Sequence, residues 1–130
     1  MTNRREAVEN KPIALIVEDD VDAAYIFGLA LQKAGFEVQV AHTGDRALEL
    51  LESLVPTLVV LDLSLPGVSG ILVLENIRNN LRLSETFVIL ATAYAHLAQA
   101  VKDQSDLVLM KPVSSTQLCD LSKRLVATVH

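Results

Sequence analysis

Cysteine occurs once among the 130 residues, as Cys119. A single thiol closes no internal disulfide, and the surrounding Gln-Leu-Cys-Asp-Leu lacks the paired spacing of a redox or metal-binding thiol motif. Cys119 is read as a half-buried helix residue. Histidine is scarce too: His42, His96 and His130 have no partner at metal-ligand spacing and read as surface residues. Basic residues are the minority, 11 Lys and Arg against 16 Asp and Glu, for a net charge of −5. Phosphate backbones demand clustered cations, so direct nucleic-acid binding is not expected. No apolar run reaches the length of a membrane span, and the start Met-Thr-Asn-Arg-Arg lacks the apolar stretch of a secretory signal. The reading is a soluble protein of the cytoplasm that makes no membrane contact. Internal repeats and low-complexity stretches are also missing.

Apolar residues make up 51% of the chain, enough for one ordinary core and no second domain at this length. Residues 1–10 are polar, without apolar pattern, and Lys11-Pro12 ends the stretch; they are read as a mobile tail, and 11–130 as one domain. Short apolar runs follow at Ile13 to Val17, Val38 to Val40, Leu58 to Leu61, Phe87 to Ala91 and Leu107 to Met110. Four of the five are nearly continuous in apolar residues, the mark of strands covered on both faces.

Between these runs the period lengthens to that of a helix. Ala23, Phe27, Ala30, Leu31 and Ala34 share one face, and Gly35 follows as a left-handed stop. Thr43 caps a second helix with Ala47, Leu48, Leu51 and Leu54 inward, and Pro56 bars its extension. Ser69 opens a third, carrying Leu74 and Ile77. A weaker pattern runs from Ala95 to Val101, and Ser114 or Ser115 caps a fifth helix with Leu118, Leu121 and Leu125 inward. Five strand-helix units in strict alternation give parallel strands with right-handed crossovers, hence an open sheet with helices on both faces. A closed eight-unit barrel needs far more chain.

Ligands of open α/β sheets bind beyond the carboxyl ends of the strands. After the first run come Glu18, Asp19 and Asp20; after the third, Asp62; after the fourth, Thr92; after the fifth, Lys111 and Pro112. Crowded carboxylates raise one another's pKa unless a cation lies among them, so the rim implies either a protonated acid or a bound metal. Oxygen ligands alone favour Mg²⁺ or a similar hard ion. A carboxylate is a competent nucleophile toward a phosphoryl group when metal, lysine and hydrogen-bond donors neutralise the transferring oxygens.

Each residue also has an ordinary explanation. Asp20 suits a helix cap as well as a metal ligand, Thr92 suits a strand end, and Lys111 alone is a solvated charge. Capping one helix needs one acceptor, so Glu18 and Asp19 at the same entrance point to metal binding. Coincidence at four strand ends would need every bland explanation to hold independently.

Val-Glu-Asp-Asp at Val17 to Asp20, Asp-Leu-Ser-Leu-Pro-Gly-Val-Ser-Gly at Asp62 to Gly70, Ala-Thr-Ala at Ala91 to Ala93, and Lys111-Pro112 together resemble response-regulator receiver domains. The match runs from Ile13 to the C-terminus. This resemblance implies a flavodoxin-like (βα)5 three-layer sandwich, with a parallel sheet in the order 2-1-3-4-5. It implies that Asp62 is the phosphoacceptor, that Glu18 and Asp19 hold Mg²⁺ beside Asp62, and that the backbone carbonyl of Ser64 completes the protein ligands. Thr92 and Lys111 would then engage the phosphoryl group and draw their loops inward. The Lys111-Pro112 peptide is typically cis in the family. Implied partners are a histidine kinase or a histidine phosphotransfer protein, an unidentified downstream protein and a second copy in a homodimer; self-directed phosphoryl chemistry does not make the chain an enzyme.

Two departures from the family pattern fall on its output side. Val108 stands three positions before Lys111, where receivers commonly place a switching aromatic; Tyr94 is the candidate substitute. The stretch from Thr92 to Lys111 is also short by roughly one helical turn and lacks Gly-Ala before the last strand, which predicts a short or irregular fourth helix. The alternative reading is a degenerate receiver that binds partners regardless of phosphorylation. A metal-dependent phosphohydrolase ranks lower, because no second acid follows Asp62 closely.

Overall fold

The computed structural model describes residues 11–127. Strands β1 (Ile13–Val17), β2 (Glu37–Ala41), β3 (Leu58–Leu61), β4 (Phe87–Thr92) and β5 (Leu107–Met110) alternate with helices α1 (Val21–Lys33), α2 (Gly44–Leu51), α3 (Gly70–Arg78), α4 (Ala95–Val101) and α5 (Ser115–Ala127). All strand pairs are parallel, in the order β2-β1-β3-β4-β5. This is the expected flavodoxin-like sandwich. The tail expected at residues 1–10, and His130, lie outside the described residues.

Alternation along the strands decides which helices cover which face. Leu15, Val17, Val59, Leu61, Val88 and Leu90 share a cluster with Ala47 and Leu51 of α2, Val73, Leu74 and Ile77 of α3, and Ala98 and Val101 of α4. Ala14, Ile16, Leu58, Val60, Ile89 and Ala91 point the other way, onto Phe27 and Leu31 of α1 and Leu118 and Cys119 of α5. A fully buried Leu or Ile stabilises by about 1.5–3 kcal/mol relative to exposure, so the two layers fix the sheet and hold its carboxyl rim rigid.

Local chemistry ends the elements as the sequence predicts. Asp20, Thr43 and Ser69 accept hydrogen bonds from the N–H groups of Ala23, Arg46 and Ile71 at the starts of α1, α2 and α3. Ser114, rather than Ser115, caps α5 through the N–H of Gln117 at 3.2 Å. Gly35 follows α1 at φ 102°. Helix α4 is indeed short, seven residues without a side-chain cap, and continues into a 3-10 turn at Lys102–Gln104.

Several expectations need correction. Cys119 is 5% exposed, buried among the residues between α1 and α5 rather than half-buried. Leu54 falls beyond α2, in a turn that its own N–H closes on the Leu50 carbonyl. Thr92 is the last residue of β4, not the first after it. Between α3 and β4 the chain also forms a 3-10 turn at Leu81–Leu83, capped by Asn80.

Candidate functional site

Strands β1, β3, β4 and β5 are consecutive in the sheet, so their carboxyl ends form one continuous rim. The ladder extends one residue past the strands. Glu18 N–H bonds the Ala41 carbonyl at 3.0 Å, Asp62 N–H the Val17 carbonyl at 3.0 Å, and Lys111 N–H the Thr92 carbonyl at 2.8 Å. The backbones of Glu18, Asp62 and Lys111 are thus pinned by a neighbouring strand, which leaves only side-chain freedom to place their charged groups.

Those side chains converge. Lys111 Nζ lies 2.6 Å from Glu18 Oε1 and 3.1 Å from Asp62 Oδ2. Ser64 N–H donates to Asp62 Oδ1 at 2.8 Å, and Asp20 N–H to Glu18 Oε2 at 3.2 Å. Carboxylate oxygens of Glu18, Asp19 and Asp62 all lie within 4.8 Å of one another. Glu18 is 1% exposed, Asp62 5% and Thr92 0%, whereas Asp19 opens to solvent. Asp20 is outside this cluster: its carboxylate accepts from Ala23 N–H at 3.1 Å, so of its two readings the cap is the one realised.

Burial is the main reason that the Glu18 pKa is raised above 4.5; bonds from Lys111 and Asp20 N–H oppose the shift, and the Asp62 charge adds to it. For Lys111, burial alone would lower the pKa, but bonds to Glu18 and Asp62 outweigh it and hold the ammonium above 10.5. Glu18 Oε1 is buried against the Lys111 ammonium at 2.6 Å. Three carboxylates that offer oxygens within 4.8 Å of one another are a fitting donor set for a hard cation.

Close backbone packing keeps the rim in place. A Cβ on Gly70 would come within 2.2 Å of the Asp62 carbonyl oxygen, and one on Gly44 within 2.4 Å of the Val68 carbonyl oxygen. Only glycine lets α3 start against the Asp62 peptide and α2 start against the same loop. Gly67, at φ 72°, turns that loop, and the Lys111-Pro112 peptide is cis, as the family resemblance implies.

The Response regulator receiver domain family model matches residues 14–123. The chain belongs to the response-regulator receiver family. It is 33% identical over 104 residues to the uncharacterized transcriptional regulatory protein YrkP of Bacillus subtilis, covering 80% of this chain and 45% of that protein. Among solved structures it resembles a CheY-like response regulator receiver domain protein from Methanospirillum hungatei, with a TM-score of 0.81, 27% identity and coverage of 92% and 98% of the two chains. The BeF3-activated DrrB receiver domain matches with a TM-score of 0.80 and 26% identity over 90% and 98%. This receiver chain spans less than half the length of the first curated relatives it matches.

Receiver domains are signalling modules that interact with histidine kinases and bind Mg²⁺ in an acidic pocket. Glu18, Asp19 and Asp62 form an acidic cluster here. Of the five side chains singled out at the strand ends, Glu18, Asp19, Asp62 and Lys111 come together at this rim, and Thr92 lies at the end of the adjacent strand β4. Thr92 is oriented differently from the others, since its hydroxyl accepts the Tyr94 N–H at 3.1 Å. Sequence spacing missed His42, whose Nδ1 lies 3.0 Å from the Glu18 carbonyl oxygen. Residues 24 apart offer no local signal of such a contact. Among the described residues no helix is long and apolar enough to cross a membrane.

Proposed function

We propose that this receiver accepts a phosphoryl group on Asp62 from a phosphohistidine donor, held by a histidine kinase or a histidine phosphotransfer protein, and passes the signal to a downstream protein by contact. The observation that carries this reading is the Lys111 ammonium set between Glu18 and Asp62 while Asp19 completes a carboxylate trio within 4.8 Å. An Asp62 oxygen attacks phosphorus, the P–N bond of the donor breaks, and the imidazole leaves with its electron pair and takes up a proton. Ser64 N–H restrains Asp62 Oδ1, and Lys111 neutralises charge on the transferred group.

Glu18, Asp19, Asp62 and the Ser64 carbonyl would hold Mg²⁺, which when bound offsets negative charge on the phosphoryl oxygens. Thr92, buried at the end of β4, exchanges its bond from Tyr94 N–H for one to the phosphoryl group, which couples the chemistry to the start of α4. The product remains on the chain, so the domain is a switch and not a turnover enzyme.

Incubation with Mg²⁺ and a small-molecule phosphodonor, followed by intact-mass measurement, tests the assignment. Wild type gains one phosphoryl group and Asp62→Asn gains none; Asp19→Ala needs more Mg²⁺ for the same rate. Undiminished labelling of Asp62→Asn would overturn it.

A second reading, a receiver whose contacts ignore phosphorylation, is favoured by Val108, half-buried where relatives commonly carry the switching aromatic. Equal partner affinity with and without fluoroberyllate would support it.

A further inference from the structure

We propose that His42 is a positioning residue for the metal-binding acids, an inference that rests on the receiver reading above. The β1–β2 ladder ends at the pair Val17 and Ala41, and its last backbone bond runs from Glu18 N–H to the Ala41 carbonyl at 3.0 Å. The next group in line is the Glu18 carbonyl, part of the peptide that joins Glu18 to Asp19. His42, the residue after β2, sets its ring Nδ1 3.0 Å from that oxygen and so extends the ladder by one bond through a side chain. A carbonyl only accepts, so Nδ1 carries the proton.

The consequence follows from which peptide is held. Rotation of the Glu18–Asp19 peptide plane would swing the exposed Asp19 carboxylate relative to the buried Glu18 carboxylate, and Mg²⁺ tolerates little departure from octahedral geometry. The His42 ring is exposed, but the backbone that follows it is anchored. Thr43 caps α2 through Arg46 N–H, and Gly44 packs its Cα against the Val68 carbonyl on the Asp62 loop. Gly70 in turn abuts the Asp62 peptide. The loop after β2 therefore touches the Asp62 loop on one side and the Glu18–Asp19 peptide on the other, so that His42 holds, from the β2 side, the peptide that leads from the strand-pinned Glu18 to Asp19.

Titration of Mg²⁺ by calorimetry on the full chain, for wild type, His42→Ala, His42→Leu and His42→Asn, tests the tie. Asn places an amide N–H where the imidazole Nδ1–H stands; Leu matches Asn in shape and donates nothing. Loss of one hydrogen bond of ordinary strength corresponds to about 2- to 10-fold in affinity. Ala and Leu are expected to weaken Mg²⁺ by that factor, with Asn restoring it. In phosphorylation assays the defect falls mainly on the Mg²⁺ concentration for half-maximal acceptance rather than on the limiting rate. In the ring NMR spectrum of wild-type His42, the Nδ1–H form is expected, with a shift on adding Mg²⁺.

Affinity for Mg²⁺ unaltered in His42→Ala, or lost equally in Asn and Leu, would overturn the proposal and leave the receiver reading standing. Wild-type protein that binds no Mg²⁺ would overturn both.

Discussion

Gly70 shows at the residue scale how tightly the site depends on backbone contact. The atoms that an added Cβ would strike are the Asp62 carbonyl oxygen at 2.2 Å and the Leu63 Cα at 2.6 Å, neither of which moves without moving Asp62. Gly70→Ala is expected to cost about 2–3 kcal/mol, as overpacked positions do, and to weaken Mg²⁺ binding with it. Urea denaturation and a metal titration check the two effects together; stability within 0.5 kcal/mol of wild type, about the scatter of neutral surface changes, would show that the loop yields elsewhere.

Glu18 gives the pH dependence. Burial raises its pKa in the folded chain above the 4.5 of the free side chain. Between those two values the folded protein holds a proton that the unfolded chain releases. Stability from this group is therefore present below pH 4.5 and is lost as pH climbs through the raised value, the reverse of a salt-bridged acid whose pKa is depressed. With metal removed by a chelator, the melting temperature of wild type should fall relative to that of Glu18→Gln as pH rises from 4.5. A difference that stays flat with pH would mean that folding does not perturb Glu18.

Among elements, α4 and the connection after it are where sequence and structure differ most in legibility. The short helix followed from the spacing of Thr92 and Lys111, but not what secures it. Arg78, the last residue of α3, donates Nε to the Gln104 carbonyl at 2.6 Å, one terminal nitrogen to the Thr86 carbonyl at 2.9 Å, and the other to Asp106 at 3.1 Å. Asp106 also accepts the Val88 N–H at 2.7 Å. One guanidinium thus fastens the C-terminal end of α3 to the 3-10 turn after α4, to the residue before β4 and to the residue before β5. Arg78→Ala strands two carbonyls and a carboxylate, and should cost about 2 kcal/mol in chemical denaturation. A loss below 0.5 kcal/mol would show that water satisfies these groups equally well.

The contrast with the strand ends explains what the sequence discloses. Glu18, Asp19, Asp62, Thr92 and Lys111 are legible because each follows an apolar run, and topology alone carries those ends to one rim. Arg78 and Asp106, like His42 and Glu18, meet through side chains over 28 and 24 positions, with no periodicity to announce them. Burial state is equally hidden: nothing in Val-Glu-Asp-Asp tells Glu18, enclosed, from Asp19, open to solvent.

At the scale of the whole molecule, the rim and α4 are joined through Thr92. Its hydroxyl holds the Tyr94 N–H, and Tyr94 is the N-cap of a helix that has no side-chain cap of its own. The far end of α4 leads into the turn that Arg78 secures, so α4 is lightly held where it meets the site and firmly tied beyond. If the Thr92 hydroxyl turns to a phosphoryl group, the N-terminal end of α4 loses its tether and moves about the fixed end, a displacement that needs no aromatic at position 108. Fluoroberyllate with Mg²⁺ should therefore shift amide signals from Tyr94 through Ala98, with smaller changes at Gln104 and Asp106, while Thr92→Ala confines the shifts to the loops around Asp62. Shifts confined to Asp62 in wild type as well would mean that binding at the site never reaches α4, and that partners meet one surface whether or not the acceptor is modified.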